Sequence, residues 1–158
     1  MKKIFLLILL FGTLEIYSQD TVRIKKIDQL VKNINNSNFK TQTDSLVQDF
    51  PQYKLWMRTY ITILTDSTRL KKYTNNVISK RDENGVLTEM VSVSSFYFDQ
   101  GKLIKVEESI VEDGEKKYAD WYYADDKPLY YTLKNERSEE RATLLLEMSR
   151  NMLKLIYK

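Results

Sequence analysis

Turn chemistry recurs at short intervals through the middle of this chain: "ENG" at Glu83 to Gly85, "DQG" at Asp99 to Gly101, "DG" at Asp113 and Gly114, and "DDK" at Asp125 to Lys127. Each break lies between runs rich in β-branched and aromatic residues, and short loops of this kind join antiparallel neighbours. An antiparallel meander is therefore the expectation for the centre of the chain. The segments "FYFDQGKLIK" and "WYYADDKPLYY" also resemble each other. The glycine spacing of short hairpin repeats is missing, so the likeness reads as one hairpin solution used twice.

Turn length fixes which residues face each other. A two-residue turn at Asp113 and Gly114 pairs Val106 with Trp121 and Ile104 with Tyr123. Three-residue turns ending at Gly101 and spanning Asp125 to Lys127 pair Phe96 with Ile104, Trp121 with Tyr131, and Tyr123 with Leu129. One face then collects Phe96, Phe98, Ile104, Val106, Trp121, Tyr123, Leu129 and Tyr131, and this is the expected core. The opposite face carries Tyr97, Leu103, Tyr118, Tyr122 and Tyr130 beside Lys105, Glu107, Asp120 and Thr132.

Helical spacing flanks the meander. Ile24, Ile27, Leu30, Val31 and Ile34 recur after Asp20 and Thr21, and the run ends in "NNSN". At the far end, Ala142, Leu145, Met148, Met152 and Leu155 form one stripe of a helix with acidic residues early and basic residues late, as the helix dipole prefers. A short helix is also expected from Thr43 or Asp44, carrying Leu46, Val47 and Phe50 and stopped by Pro51. The stretch Leu55 to Thr65 has the composition of a strand, with a buried helix as the alternative. The fold expected is α+β: an antiparallel meander sheet of five or six strands, with the N-terminal and C-terminal helices packed on one face.

The chain opens "MKKIFLLILLFGTLEIYSQD", with a basic start, an apolar run from Ile4 to Phe11, and small or polar residues at Thr13 and Ser18. This is the pattern of a secretory signal peptide. A spanning helix needs about 20 apolar residues, and Glu15 closes off that length. Residues 1–18 are thus expected to be removed, leaving a single domain over 19–158 that is secreted or periplasmic, with no stable membrane anchor after processing.

The chain has neither cysteine nor histidine. That removes disulfides, lipid attachment through cysteine, Ser-His-Asp triads, cysteine nucleophiles, the usual zinc ligand sets and haem ligation through His or Cys. No metal or cofactor is expected. "DENG" at Asp82 to Gly85 fails as a calcium loop, because Lys80 and Val91 would occupy the first and last ligand positions. The four glycines are too scattered to cradle a phosphate, and the net charge of +3 is too small to argue for nucleic acid. Acidic neighbours such as Glu107 and Glu108 point to opposite faces of a strand and do not build a two-carboxylate site.

Two function classes follow. The first is a non-catalytic binding or interaction module, its ligand surface on the exposed sheet face at Tyr97, Tyr118, Tyr122 and Tyr130, for a protein, a peptide or a glycan. The second is an extracytoplasmic enzyme relying on carboxylate or tyrosine chemistry, for example a hydrolase. The binding module is preferred, because the inferred core face lacks acids along its central strands. Cross-strand tyrosine pairs also stabilise a sheet without any ligand, by about 0.2–1 kcal/mol each.

Overall fold

The computed structural model describes the backbone of residues 2–157 other than positions 84 and 113, and the side chains of residues 19–157 other than 83, 84 and 113. Residues 1–36 and residues 37–158 form two compact units. The first is a single helix, α1 (Lys2–Asn36), which includes the expected helical segment and stops midway through the "NNSN" run. On its exposed side Gln29 Nε2 donates to Asn33 Oδ1 at 2.9 Å, one turn apart.

The second unit is a seven-stranded sheet and a helix. Its elements are β1 (Lys40–Phe50), β2 (Leu55–Asp66), β3 (Arg69–Glu83), β4 (Val86–Asp99), β5 (Lys102–Glu112), β6 (Glu115–Ala124), β7 (Lys127–Tyr131) and α2 (Ser138–Ile156). The strands lie in chain order and every neighbouring pair is antiparallel. The α+β class and the meander are as expected. The strand count is seven rather than five or six.

The difference begins at β1, where a short helix was expected. Residues 40–50 instead pair with β2 along their whole length, from Lys40 opposite Thr65 to Phe50 opposite Leu55. A run with Thr41, Thr43 and Val47 has little intrinsic helix preference, and a full ladder of backbone bonds outweighs it. Pro51 therefore ends a strand and opens a single 3-10 turn, Pro51–Tyr53. Leu55–Asp66 is a strand, and the helical alternative for that stretch is discarded.

Two turns also differ from expectation. Asp99 pairs with Lys102 and Ala124 with Lys127, so both loops have two residues rather than three. Their φ values are 49° and 77° at Gln100 and Gly101, and 53° and 60° at Asp125 and Asp126. Left-handed backbone at both loop positions is the geometry whose twist matches a hairpin, and aspartate tolerates it better than most side chains. Each short turn is followed by a shift of register, between Tyr97 and Phe98 and between Tyr122 and Tyr123. Ile104 and Leu129 are the residues left over. In consequence Phe96 pairs with Val106, not Ile104, and Tyr123 with Pro128, not Leu129. Ile104 is likewise not matched to Tyr123, the β5–β6 ladder ending at Lys105 opposite Tyr122. Glu112 pairs with Glu115 around a two-residue loop, as expected, and Val106 with Trp121. Of that loop, Asp113 lies outside the described residues, as does Asn84 in the β3–β4 turn.

The bulges alter the core. Leu103, expected on the opposite face, is buried beside Phe96, Phe98, Val106, Trp121 and Tyr123, whereas Ile104 and Leu129 are only half-buried. Helix α2 closes this face with Ala142, Leu145 and Leu146, and with Met148, Met152, Leu153 and Ile156 packed at the margin. Leu155 is exposed rather than part of the stripe. A period of 3.6 residues carries the buried line from Ala142 through Leu145 and Leu146 to Ser149, Leu153 and Ile156, so a stripe drawn through Leu155 drifts off it. Three polar links fix the helix: Tyr123 Oη donates to the Ala142 carbonyl at 3.0 Å, the Leu70 amide donates to Tyr157 Oη at 2.6 Å, and Arg141 Nε donates to Glu108 Oε2 at 3.2 Å.

Candidate functional site

Antiparallel pairing places Lys72, Tyr97, Lys105, Tyr122 and Tyr130 opposite one another across β3 to β7, on the face away from α2. Lysine and tyrosine thus alternate from Lys72 to Tyr122, and Tyr130 ends the rung beside a second tyrosine. Lys72 Nζ lies 4.8 Å from the Tyr97 ring centre and Lys105 Nζ 4.7 Å from that of Tyr122. The rings of Tyr122 and Tyr130 are 6.0 Å apart. Beside this rung, Glu107 and Asp120 face each other across β5 and β6. Lys105 Nζ is 3.1 Å from Glu107 Oε1 and 3.1 Å from Asp120 Oδ2, and Tyr97 Oη donates to Glu107 Oε2 at 2.7 Å. A lysine removed from water is stabilised by such paired carboxylates and by the aromatic face beneath it. Burial lowers the pKa of Lys72 below its ordinary value, and the nearby Glu107 carboxylate partly offsets this.

The four tyrosines expected to form an exposed platform fall into two groups. Tyr97 and Tyr122 are 1% and 5% exposed, whereas Tyr118 and Tyr130 are 66% and 37% exposed. Tyr97, Tyr122 and Tyr130 share the rung, but Tyr118 stands apart, opposite Ser109, with Lys116 Nζ 4.9 Å from its ring centre. Of the four, Tyr118 and Tyr130 are thus the rings that present surface to solvent.

Tyr118 borders a cleft of about 770 Å³ at the end of the sheet where the chain passes from β7 into α2. Its apolar walls are Ile110, Ala119, Trp121 and Leu133. Glu108 and Arg141 lie in it as an ion pair, and Lys117 and Arg137 add exposed positive charge at its edge. The wall next to α2 is set by Ser138, which is buried. Its hydroxyl lies 2.7 Å from the Leu133 carbonyl and 3.1 Å from Asn135 Oδ1, and it accepts the Asn135 amide at 2.8 Å. Asn135 Oδ1 also accepts the Arg137 amide at 3.0 Å. A loop so tied presents its side chains in a fixed arrangement. Trp121 Nε1 is buried without a hydrogen-bond partner.

Sequence reasoning placed Trp121 correctly in the core but did not find the cleft. Its walls come from β5, β6, the β7–α2 loop and the first turn of α2, and no local pattern announces that these positions meet. Among the described residues, no group of three or more Asp, Glu, Cys or His side chains converges to hold a metal ion. Burial also raises the phenols of Tyr73 and Tyr123; at Tyr123 the Glu108 charge adds to the rise and Arg141 opposes it. No family model, curated protein or solved structure matches this chain.

Proposed function

We propose that the protein is an extracytoplasmic, non-catalytic binding module whose ligand seat is the cleft between the β5–β6 hairpin and the start of α2. The observation that carries this reading is the lining of that cleft: apolar walls, a charge-paired floor and cationic side chains at the edge. Concave, mainly apolar sites with a few fixed polar groups are where small ligands bind. A ligand with an apolar body and an acidic group suits it, the body against Ile110, Trp121 and Leu133 and the acid toward Lys117 or Arg137. Of the tyrosines considered for ligand binding, Tyr118 borders this seat from β6, while alternation with Ala119 and Trp121 sets its ring on the opposite face of the sheet. Glu108 is the carboxylate of the lining, and its engagement by Arg141 favours a structural charge over a free catalytic acid.

The test uses anilinonaphthalene sulfonate, an apolar anion, as probe, with Trp56→Phe as background so that Trp121 is the only indole. Energy transfer from Trp121 to the bound probe is expected. Leu133→Glu or Ile110→Glu, both at solvent-accessible positions, should weaken binding about tenfold, the loss of roughly one apolar contact. Dodecanoate and a short peptide ending in a leucine carboxylate serve as competitors, and displacement by one alone separates a lipid from a peptide ligand. Unchanged probe affinity in both folded variants would remove the cleft as the seat.

A further inference from the structure

The two edges of the sheet are unlike. Strand β7 has five residues, contains Pro128 and follows a register shift, all of which discourage a further strand from adding. Strand β1 has eleven residues, no proline or glycine, and an unbroken register with β2. It is exposed along its length up to Asp49, and Leu46 and Val47 are 54% and 49% exposed, one on each face. A long, flat edge with apolar side chains is a template for strand addition.

The sequence of β1, "KTQTDSLVQDF", is suited to a second copy of itself. A two-fold axis through Leu46, perpendicular to the sheet, sets Leu46 against Leu46 of the other copy, Ser45 against Val47, Asp44 against Gln48, Thr43 against Asp49, and Gln42 against Phe50. Like charges do not meet, and each side chain stays on its own face, as continuous pairing demands. Shifting the axis to Ser45 sets Leu46 against Asp44, and shifting it to Val47 sets Leu46 against Gln48. Only the Leu46 register joins the two exposed leucines. We propose that β1 is a self-association edge, through which two copies pair antiparallel about Leu46 into one sheet of twice the width.

One local bond opposes this. Asp44 Oδ1 accepts the Ser45 amide at 2.7 Å, occupying a donor that lies on the outer side of β1. The partner strand has to displace that carboxylate, so the association is weak and depends on concentration, and Asp44 acts as its brake. The same bond places the Ser45 amide among the outward donors, which makes Leu46 opposite Leu46 a non-hydrogen-bonded pair with Cα atoms about 4.5 Å apart.

Because the chain has no cysteine, a single introduced thiol reports that pair without interference. Cysteine at position 46 brings two Cα atoms to a separation a disulfide accepts, whereas at position 47 the cysteine faces Ser45 of the other copy. Under mild oxidation Leu46→Cys should give a covalent dimer and Val47→Cys should remain largely monomeric. In sedimentation of the purified chain, Leu46→Lys should weaken the dimer at least tenfold with an unchanged circular dichroism spectrum, and Asp44→Ala should tighten it. A wild-type chain that stays monomeric up to about 0.5 mM, a concentration that exposes even weak association, would overturn the proposal. So would a dimer unaffected by Leu46→Lys, or equal cross-linking at positions 46 and 47.

Discussion

At the scale of single residues, burial separates the aromatic side chains more sharply than their shared chemistry does. Phe96 and Trp121 are buried against α2, and truncation of either to alanine should cost about 3–5 kcal/mol in a denaturant melt. The sequence pattern leaves Tyr122 on a solvated face, with a much smaller penalty. Its burial, with Lys105 over the ring and Tyr130 beside it, moves Tyr122→Ala into the same range of about 3–5 kcal/mol. A melt in which Tyr122→Ala stays close to wild type would restore the open-face reading. Tyr123 gives a test of a different kind. Its phenol is raised above the ordinary value of 10.0, chiefly by desolvation, so above that pH the unfolded chain releases a proton that the folded chain keeps. Fewer protons on the unfolded state mean that stability falls as pH rises. The contribution is complete below about pH 10, the unfolded phenol value, and is lost on the way up. Tyr123→Phe should flatten that alkaline decline, and it should cost about 0.5–1.5 kcal/mol at neutral pH for the lost bond to the Ala142 carbonyl. A wild-type slope in the variant would assign the alkaline transition to another group.

At the scale of elements, the hairpins were legible because their turns are chemically marked, and their detail was not. Which face Phe96, Val106, Trp121 and Tyr131 occupy follows from alternation and survives an error of two positions in register. Val106 opposite Trp121 and Trp121 opposite Tyr131 hold, but the partners expected for Ile104 and Leu129 did not survive, because a bulge costs little and leaves no signature in composition. Ile104 and Leu129 are as apolar as Leu103, and only the left-handed backbone at Gln100–Gly101 and Asp125–Asp126 decides which of them lacks a partner. Helix α2 shows the same limit. Its existence was plain, but the last turn drifted, so Leu145→Ala should cost about 2–5 kcal/mol while Leu155→Ala stays within about 0.5 kcal/mol. Equal losses in urea melts would mean that the helix is rotated from this position. The β7–α2 junction rests on Ser138, and Ser138→Ala leaves the Asn135 amide without its acceptor. A loss of about 1–3 kcal/mol and faster hydrogen exchange at that amide are expected. Unchanged exchange there would show that the hydroxyl does not hold the loop.

At the scale of the whole molecule, the proposed location makes the simplest prediction. Among the described residues no helix is long and apolar enough to cross a membrane. If residues 1–18 are a cleaved signal, intact-mass measurement on secreted material should give a chain beginning at Gln19; a mass that retains Met1 to Ser18, in a membrane fraction, would sink the assignment. The sequence by itself determined the α+β class, the order of hairpins, the membership of most of the core, and the exclusion of chemistry that needs histidine or cysteine. These are properties of composition and of periods of two and 3.6 residues, which act locally and leave their mark in every window. Tertiary structure decided what depends on distant segments meeting: that residues 40–50 join the sheet as a strand, that Tyr97 and Tyr122 are buried while Tyr118 and Tyr130 are not, and that Ile110, Trp121 and Leu133 enclose a cleft at the start of α2. A strand with weak local preference takes its state from the neighbour that supplies its hydrogen bonds, and a cavity is a relation among elements that no single one of them encodes.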